Sequence, residues 1–530
     1  MLLAAVPLLS FSQKKKTNDP LAGLDTAFQR VLKDRKAAGF AIAIVEKDKL
    51  IYARGFGYRD YEKKIPVTEN TLFAIGSCTK AFTASLIGLL QKDGKLDYDK
   101  PARDYLPALH FYNDKLNDEV TLRDMMCHRT GLPRHDYSWY FFTTSSRDSL
   151  LQRIRYLEPT APLRQNWQYN NFMFLVQGMI AEKMSGMSWE ENVKQKLFTP
   201  LGMQVSNFST ADLEKSNDAA LGYTVYKDSV IKKTDYYKIG AMGPAGSINS
   251  NVVEMANWVI TWINGGKYKG KEVLPASYVT EAMSSQMVIG PALPDKEMPD
   301  SYFSTYGFGW MLSSYRGHYR VEHGGNIDGF SASTSFFPSD SIGIIVLSNQ
   351  NGSAVPGIVR NIVADRLLGL KKIDWNGRVN DAEKKAREAA KNAEKTRTDN
   401  RIPGTHPSHP AADYTGLFNN PGYGTMDIFL RHDSLIMQTP GGEAWLKHFH
   451  YDVYEIYGID KKEGIDTTQP SPVKIQYNMN PAGEIISINI PFEPQLKDIE
   501  FIRKPKPKEI TREELEKYTG EFELAPGAVA

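Results

Sequence analysis

Residues 77–90 have the sequence SCTKAFTASLIGLL, and the chain reaches Gly94 four residues later. The stretch is apolar nearly all round, which is typical of a helix buried in the middle of a domain. On a helix, the three-residue spacing places Ser77 and Lys80 one turn apart on one face. A lysine amine in an apolar site loses its proton readily and then accepts one from a serine hydroxyl. The stretch therefore predicts a buried helix that begins with a serine nucleophile and its base.

The spacing alone is a weak signal, because Ser12 and Lys15 repeat it in the N-terminal tail. The alternative is that Ser77 caps the helix and Lys80 lies on the surface. An apolar sequence follows Lys80 directly and leaves it little solvated face, which favours the buried lysine.

The second chemical element is Tyr169-Asn170-Asn171, ahead of the apolar run 172–176. A phenol held near a lysine can ionise and share general-base work, and an asparagine amide can bond both the lysine and a substrate amide. Most tyrosines in such a setting are ordinary core residues. Tyr169 and Asn171 therefore count as candidates only together with the serine and the lysine.

The third element, His323-Gly324-Gly325-Asn326, leads into a predicted strand at 329–337. Two glycines let a substrate lie against the strand edge, and a backbone N–H there completes an oxyanion hole. The helix N-terminus at Ser77 offers a further N–H. A lone histidine before glycines is usually a turn residue, so this element too depends on the set.

The patterns around these elements predict an α+β fold in which helices cover an antiparallel sheet. Strands come early and late in the chain, and helices fill the middle. The predicted elements are a hairpin at 39–59, helices at 172–185, 252–264 and 356–369, and strands at 329–338 and 341–350.

The composition changes at a charged linker, residues 371–412, whose 380–400 segment carries no apolar residue larger than alanine. Short alternating runs between residues 413 and 504 then predict a small barrel or sandwich, with strands at 426–430, 435–437, 451–456, 473–477, 485–490 and 499–502. Tyr-Thr-Gly-Leu-Phe at 414–418 is echoed by Tyr-Thr-Gly-Glu-Phe at 518–522. We therefore expect the tail, residues 505–530, to be the start of a truncated repeat.

The whole chain has 530 residues and a formal net charge of +2, which implies at least two domains and argues against a nucleic-acid-binding protein. Its two cysteines exclude a disulfide scaffold and a cysteine-based metal site. The apolar segment 1–12 is too short to span a membrane and fits the core of a secretory signal. We expect a soluble periplasmic or secreted bacterial protein; the alternative is a frayed apolar terminus of a cytosolic one.

The three elements in this order resemble the serine β-lactamase and penicillin-binding protein superfamily. The tyrosine of the second element is similar to the class C β-lactamase branch, which includes related esterases and D-aminopeptidases. The resemblance covers residues 20–370, and residues 413–504 resemble the small lipocalin-like β domain that follows some of these enzymes. Segments similar to the same branch are TLFAIG (71–76), CHRTGLP (127–133), PLGM (200–203), PAGS (244–247) and YGFGW (306–310).

The resemblance implies that Ser77 is the acyl-accepting nucleophile and that Lys80 and Tyr169 transfer its proton. Asn171 and the His323-Gly324-Gly325 segment would bind substrate, and the N–H groups of Ser77 and Asn326 would form the oxyanion hole. His323-Gly324-Gly325 replaces the Lys-Thr-Gly of β-lactamases, which removes a permanent cation suited to a substrate carboxylate. We therefore expect small esters, D-amino-acid peptides or related amides as substrates.

Three alternatives remain open: a true β-lactamase, a D-Ala-D-Ala carboxypeptidase, and a sensor of penicillin or peptide that does not turn over. We expect no cofactor and no metal, because the crowded loop of His128, Arg129, Arg134, His135 and Asp136 lacks the spacing of zinc ligands. A small-molecule or peptide substrate is the expected partner. The C-terminal domain would shape or cover the cleft or mediate oligomer assembly.

Overall fold

The computed structural model describes most of the chain after residue 18, in the ranges given at the end of this paragraph. The signal-like segment 1–12 and the second Tyr-Thr-Gly copy at 518–522 lie outside these residues and stay predictions. The described ranges are 19–226, 229–290, 293–294, 296, 300–396, 400–460, 464–467, 470–505, 511–517, 523–525 and 528–529.

The chain divides into two compact units. The first unit is Met1–Gly131 with Ala161–Arg397, and the second unit is Leu132–Thr160 with Thr398–Ala530. The sequence predicts one continuous domain over 20–370, whereas residues 132–160, here called the insert, group with the C-terminal part. The difference arises because Tyr137 and Phe142 of the insert pack on Phe492 and Phe501 of the C-terminal part.

An antiparallel sheet forms the centre of the first unit, as the sequence predicts. One of its interior strands, Gly39–Glu46, has seven buried residues followed by an exposed glutamate. Both faces of a strand with this pattern must be covered by other elements. In spatial order the strands are Met287–Val288, Ser304–Tyr306, Met311–Tyr315, His318–Ile327, Phe330–Phe337, Ile342–Ser348, Gly39–Glu46, Lys49–Asp60 and Ile65–Pro66.

Helices cover both faces of this sheet. Phe40, Ile42 and Ile44 pack with the helices Leu24–Asp34 and Val355–Leu367 on one face. The helix Val252–Ile263 packs on the same strands from the other face, so alternate residues of one strand enter two cores. The other described helices of this unit are Thr79–Lys92, Ala102–Tyr105, Asp114–Glu119, Leu122–Met126, Phe172–Ser185, Trp189–Val193, Thr199–Leu201, Thr210–Lys215, Gly243–Gly246, Ala276–Ala282 and Trp375–Thr396.

The predicted buried helix is present at Thr79–Lys92, here called the serine helix, and a 3₁₀ turn at Gly76–Cys78 precedes it. Its residues from Thr79 to Gly88 are all buried, because the helix Phe172–Ser185 packs along it. The serine therefore lies on a tight turn at the entrance to the core rather than within the α-helix itself.

The second unit is a closed antiparallel barrel, which confirms a barrel rather than a sandwich. Among its described residues eight strands complete the circle, since Gly442–His450 pairs with Val453–Asp460. The insert contributes the helices Tyr137–Tyr140 and Arg147–Arg153. The strands in order are Gly442–His450, Ser434–Thr439, Gly424–Arg431, Gly416–Asn420, Ile499–Lys504, Ile485–Ile490, Lys474–Met479 and Val453–Asp460.

Over the described residues, no helix has both the length and the apolar character needed to cross a membrane.

Candidate active site

Ser77 and Lys80 form a hydrogen-bonded pair at the start of the serine helix. Lys80 Nζ lies 2.9 Å from Ser77 Oγ. The lysine is completely buried, whereas Ser77 is only partly buried and both of its chain neighbours are buried. The hydroxyl is thus the group on this turn that remains accessible to a substrate.

Two carbonyl oxygens fix the lysine amine on its other sides. Lys80 Nζ donates to Asn171 Oδ1 at 2.7 Å and to the backbone oxygen of Ala245 at 2.7 Å. A neutral amine has two N–H groups for these oxygens and keeps its lone pair toward Ser77, and an ammonium donates to all three oxygens. Both protonation states therefore satisfy the same contacts, and a proton can pass between Ser77 and Lys80 without rearrangement.

Tyr169 borders the same amine. The centre of its ring lies 4.8 Å from Lys80 Nζ, within the range of a cation–π contact. The ring of His128 packs at 4.3 Å from the Tyr169 ring. The structure thus brings Ser77 and Lys80 together with Tyr169 and Asn171, which lie about ninety residues further along the chain.

The glycine segment lies along the serine turn. The strand His318–Ile327 pairs with Met311–Tyr315 only as far as Glu322, so its second half lacks a partner from that strand. The Cys78 thiol donates to the His323 carbonyl oxygen at 3.2 Å. A Cβ on Gly325 would lie 1.9 Å from the Ile75 oxygen and 3.2 Å from the Ser77 nitrogen, so only glycine allows this approach.

The second predicted oxyanion donor is also adjacent to the serine. Gly76 has φ = 50°, and a Cβ there would lie 2.9 Å from the backbone nitrogen of Asn326. The nitrogens of Ser77 and Asn326 are therefore close together at the strand edge. Two such N–H groups are what a tetrahedral oxyanion requires.

His323 lies beneath this strand edge rather than on its surface. Its Nδ1 is 2.6 Å from the Gly324 carbonyl oxygen, which can only accept, and its Nε2 is 2.8 Å from Tyr306 Oη. The ring is therefore protonated on Nδ1, and Tyr306 donates to Nε2. Burial, reinforced by the charge of Lys80, lowers the pKa of His323 to about 4.

The imidazole of His323 is neutral, and both of its ring nitrogens are hydrogen-bonded. It therefore does not supply the cation that a lysine would supply at this strand position. The sequence identified His323, Gly324 and Gly325 as substrate-binding residues. In the structure, the part of this segment that lies against the serine turn is its backbone, and the His323 side chain holds the strand to Tyr306.

Sequence reasoning missed two groups of the site. Tyr306 is completely buried and holds His323, and burial raises the pKa of Tyr306 well above its ordinary value, so the phenol remains a donor. Ala245 contributes its carbonyl oxygen to Lys80. Both residues lie in segments quoted above, YGFGW and PAGS, but a backbone oxygen and a distant phenol leave no pattern that names their partners.

Within the described ranges, the cysteines and acidic side chains form no group suited to a metal ion. Cys78 and Cys127 are free and buried, and burial raises the pKa of the two thiols to about 11 and about 12. In the part of the chain that the structure describes, no three His, Cys, Asp or Glu side chains are grouped so that they could hold a metal ion.

A cavity of about 360 Å³ opens beside the serine turn, within the first unit. Gly246 and Ser247 line it, and a Cβ on Gly246 would lie 3.6 Å from the carbonyl carbon of Gly76. Lys238 and Asp328 are among its polar lining. Aromatic and aliphatic side chains form much of the remaining wall: Phe208, Tyr236, Ile239 and Phe330.

The fold and the serine–lysine pair define a serine hydrolase of the β-lactamase/transpeptidase-like superfamily. The chain belongs to the beta-lactamase family, whose profile matches residues 24–368. A second profile, described as a domain of unknown function (DUF3471), matches residues 400–503.

Curated relatives share most of this length. Unguisins hydrolase ungD' of Aspergillus campestris is 29% identical over 439 residues, which cover 78% of this chain and 79% of that protein. Protein flp of Staphylococcus aureus (strain COL) is 23% identical over 349 residues, covering 65% of this chain and 66% of that protein.

Solved structures have the same fold at low sequence identity. The octameric penicillin-binding protein homologue from Pyrococcus abyssi has a TM-score of 0.60 at 20% identity and covers 91% of this chain and 100% of its own. SurE has a TM-score of 0.54 at 16% identity, covering 92% and 99%. The D-amino acid amidase from Ochrobactrum anthropi has a TM-score of 0.53 at 22% identity, covering 66% and 98%.

Proposed function

We propose that this protein hydrolyses small esters and amides, including D-amino-acid peptides, through an acyl-enzyme on Ser77. The observation that carries the proposal is the contact of 2.9 Å between Lys80 Nζ and Ser77 Oγ, with the amine buried and held by two further oxygens. An amine placed in this way accepts the serine proton as the hydroxyl attacks a carbonyl.

The reaction then follows from the groups in place. Ser77 Oγ bonds to the substrate carbonyl carbon, its proton passes to Lys80, and the N–H groups of Ser77 and Asn326 hold the oxyanion. The bond to the alkoxide or amine breaks as the Lys80–Tyr169 pair returns the proton to that leaving group. Water then attacks the acyl ester and releases the acid, which restores Ser77.

The surroundings of the serine support esters and amides rather than carboxylate-bearing lactams. The strand position that would carry a lysine holds His323, whose pKa of about 4 leaves it neutral at physiological pH. A substrate carboxylate therefore lacks the charged partner that such a lysine provides. The relative from Aspergillus campestris is named a hydrolase, which agrees with a hydrolytic reaction here.

The adjacent cavity supports an apolar or aromatic group on the acyl side. Phe208, Tyr236 and Phe330 offer aromatic surface, and burial of such a group is favourable. Among the described residues the buried hydroxyl of Ser247 has no hydrogen-bond partner. That hydroxyl is suited to a substrate N–H group, which would otherwise lose its hydrogen bond to water on entering the cavity.

A substrate panel tests the proposal. We expect purified protein to cleave nitrophenyl esters and D- or L-phenylalanine amide faster than a chromogenic cephalosporin, and to react with a fluorophosphonate probe. Ser77→Ala should abolish both activities, and Lys80→Ala should slow hydrolysis at least about a hundredfold. Ser85→Ala is the matched control, because this buried serine of the same helix bonds to Ala81 and Tyr278 and not to Lys80.

Two results would contradict the proposal. Turnover of the cephalosporin alone would indicate a true β-lactamase and refute the interpretation of His323. Probe labelling that persists indefinitely, without hydrolysis of any ester or amide, would indicate a sensor that acylates once.

A further inference from the structure

We propose that the second unit is a binding domain whose barrel cavity takes a neutral apolar molecule. A cavity of about 540 Å³ lies within this unit, in the size range of small-molecule pockets. Closed barrels of eight strands are just wide enough to hold one small ligand. This binding activity is independent of the hydrolysis proposed above.

The cavity wall is largely apolar. Strands of the barrel contribute Met426, Met437 and Ile456, and Phe492 follows a strand. Met426 is 1% exposed and Ile456 is 8% exposed, so both are core side chains that nevertheless border empty space. An apolar ligand in this space would remove the apolar wall from water, which is favourable.

Small residues keep the cavity open at its mouth. Gly458 lines it and pairs across the barrel seam with Ala444, which lines it too. A Cβ on Gly458 would meet no atom within 4 Å. Gly458 is exposed and shares its strand face with the buried Tyr454 and Ile456, so a large side chain there would lie over the cavity mouth.

The insert supplies a fixed aromatic wall. Tyr137 stacks on Phe141 at 5.0 Å and lies 4.9 Å from Phe492. Ser138 Oγ donates to the Gly422 carbonyl at 2.6 Å, and the Phe141 carbonyl accepts from the Gly441 N–H at 2.7 Å. The wall is therefore preformed, and a ligand does not have to order it.

The charges favour a ligand without an anionic group. Among the described lining residues the charged side chains are Glu443 and Asp460, both acidic. Arg431 donates twice to Glu443, at 2.8 Å each, and so occupies that carboxylate. The described lining includes no basic side chain, so a fatty-acid carboxylate would find no cationic partner there, whereas an alcohol, ester or amide of the same chain needs none.

Fluorescence titration of the full chain with N-phenyl-1-naphthylamine, a neutral apolar probe, tests the proposal. We expect saturable binding that 1-decanol displaces at lower concentration than decanoate. Binding should survive Ser77→Ala and prior labelling with a fluorophosphonate, which separates the barrel from the hydrolytic site. Gly458→Trp should weaken binding at least tenfold, and Glu455→Trp, on the opposite face of the same strand, should not.

Ala444→Phe is a second occluding variant, and melting curves show whether each variant is folded. A folded Gly458→Trp or Ala444→Phe protein that binds the probe as the wild type does would overturn the proposal. Loss of binding after fluorophosphonate labelling would place the probe at Ser77 and overturn it as well. Tighter competition by decanoate than by decanol would refute the neutral ligand class.

Discussion

His323→Asn should remove a pH-dependent part of the stability of the first unit. Burial, with the charge of Lys80, lowers the pKa of His323 to about 4 in the folded protein, whereas an exposed histidine in the unfolded chain has a pKa of about 6.5. Between these values the unfolded chain binds a proton that the folded chain does not bind. Stability is therefore full above about pH 6.5 and falls as the pH drops toward 4.

The size of this effect follows from the pKa difference. Each pKa unit corresponds to about 1.4 kcal/mol, so a fall from about 6.5 to about 4 amounts to about 3 kcal/mol. His323 is 1% exposed, so solvent screens little of it. Loss of the buried contact to Tyr306 destabilises the variant by a further ~1–3 kcal/mol at every pH. Because this offset is constant, it does not alter the slope of the free energy of unfolding against pH.

Urea unfolding followed by tryptophan fluorescence, fitted unit by unit at pH 7, 6, 5 and 4, measures the slope. The wild type should lose about 3 kcal/mol more than His323→Asn over this range. His318→Asn, on the same strand but partly exposed, leaves His323 in place and should keep the steep loss. Parallel curves for the wild type and His323→Asn would refute the assignment of a buried neutral imidazole.

Three further predictions concern the site. Tyr169→Phe retains the ring beside Lys80 but should slow ester hydrolysis at least about a hundredfold; a wild-type rate would remove the phenol from proton transfer. Gly325→Ala should abolish activity, because its Cβ would lie 1.9 Å from a backbone oxygen, whereas Gly324→Ala, with 3.6 Å of clearance, should remain active. Native protein should react with no thiol reagent at pH 8, because burial raises the pKa of Cys78 and Cys127 to about 11 and about 12. Unfolding in urea should make both thiols reactive. Rapid reaction of the native protein would contradict their burial.

Local patterns predicted the elements whose burial is uniform along their length. The helix Phe172–Ser185 has its predicted bounds, and the predicted hairpin at 39–59 is present as strands Gly39–Glu46 and Lys49–Asp60. The helix is buried all round over Phe172–Ala181 and the first strand over its first seven residues, so continuous apolar runs in the sequence coincide with the buried segments. The barrel was predicted as a class, but its strands Gly416–Asn420 and Gly442–His450 were not.

The missed strands have weak patterns. Gly442–His450 alternates buried Ala444 and Leu446 with Trp445 and Lys447 on the other face, and its alternation breaks at a register shift before His450. A tryptophan on the outer face and a small residue on the inner face hide the period of two. The insert groups with the C-terminal part because of long-range packing, and local sequence periodicity cannot predict such contacts.

The site shows the same limit. The order of the three elements brought Ser77, Lys80, Tyr169 and Asn171 forward as candidates, because their chemistry lies in the side chains. The sequence could not indicate that Ala245 turns its carbonyl oxygen to the lysine, since that depends on backbone direction in a distant turn.

The most direct test of the central claim is trapping of the acyl-enzyme. Wild-type protein mixed with nitrophenyl butyrate and quenched in acid within the first turnovers should show a mass increase equal to one butyryl group, and peptide mapping should place it on Ser77. The adduct should disappear as substrate is exhausted and should be absent from Ser77→Ala. Hydrolysis at the wild-type rate without any adduct, or an adduct on another residue, would contradict the account.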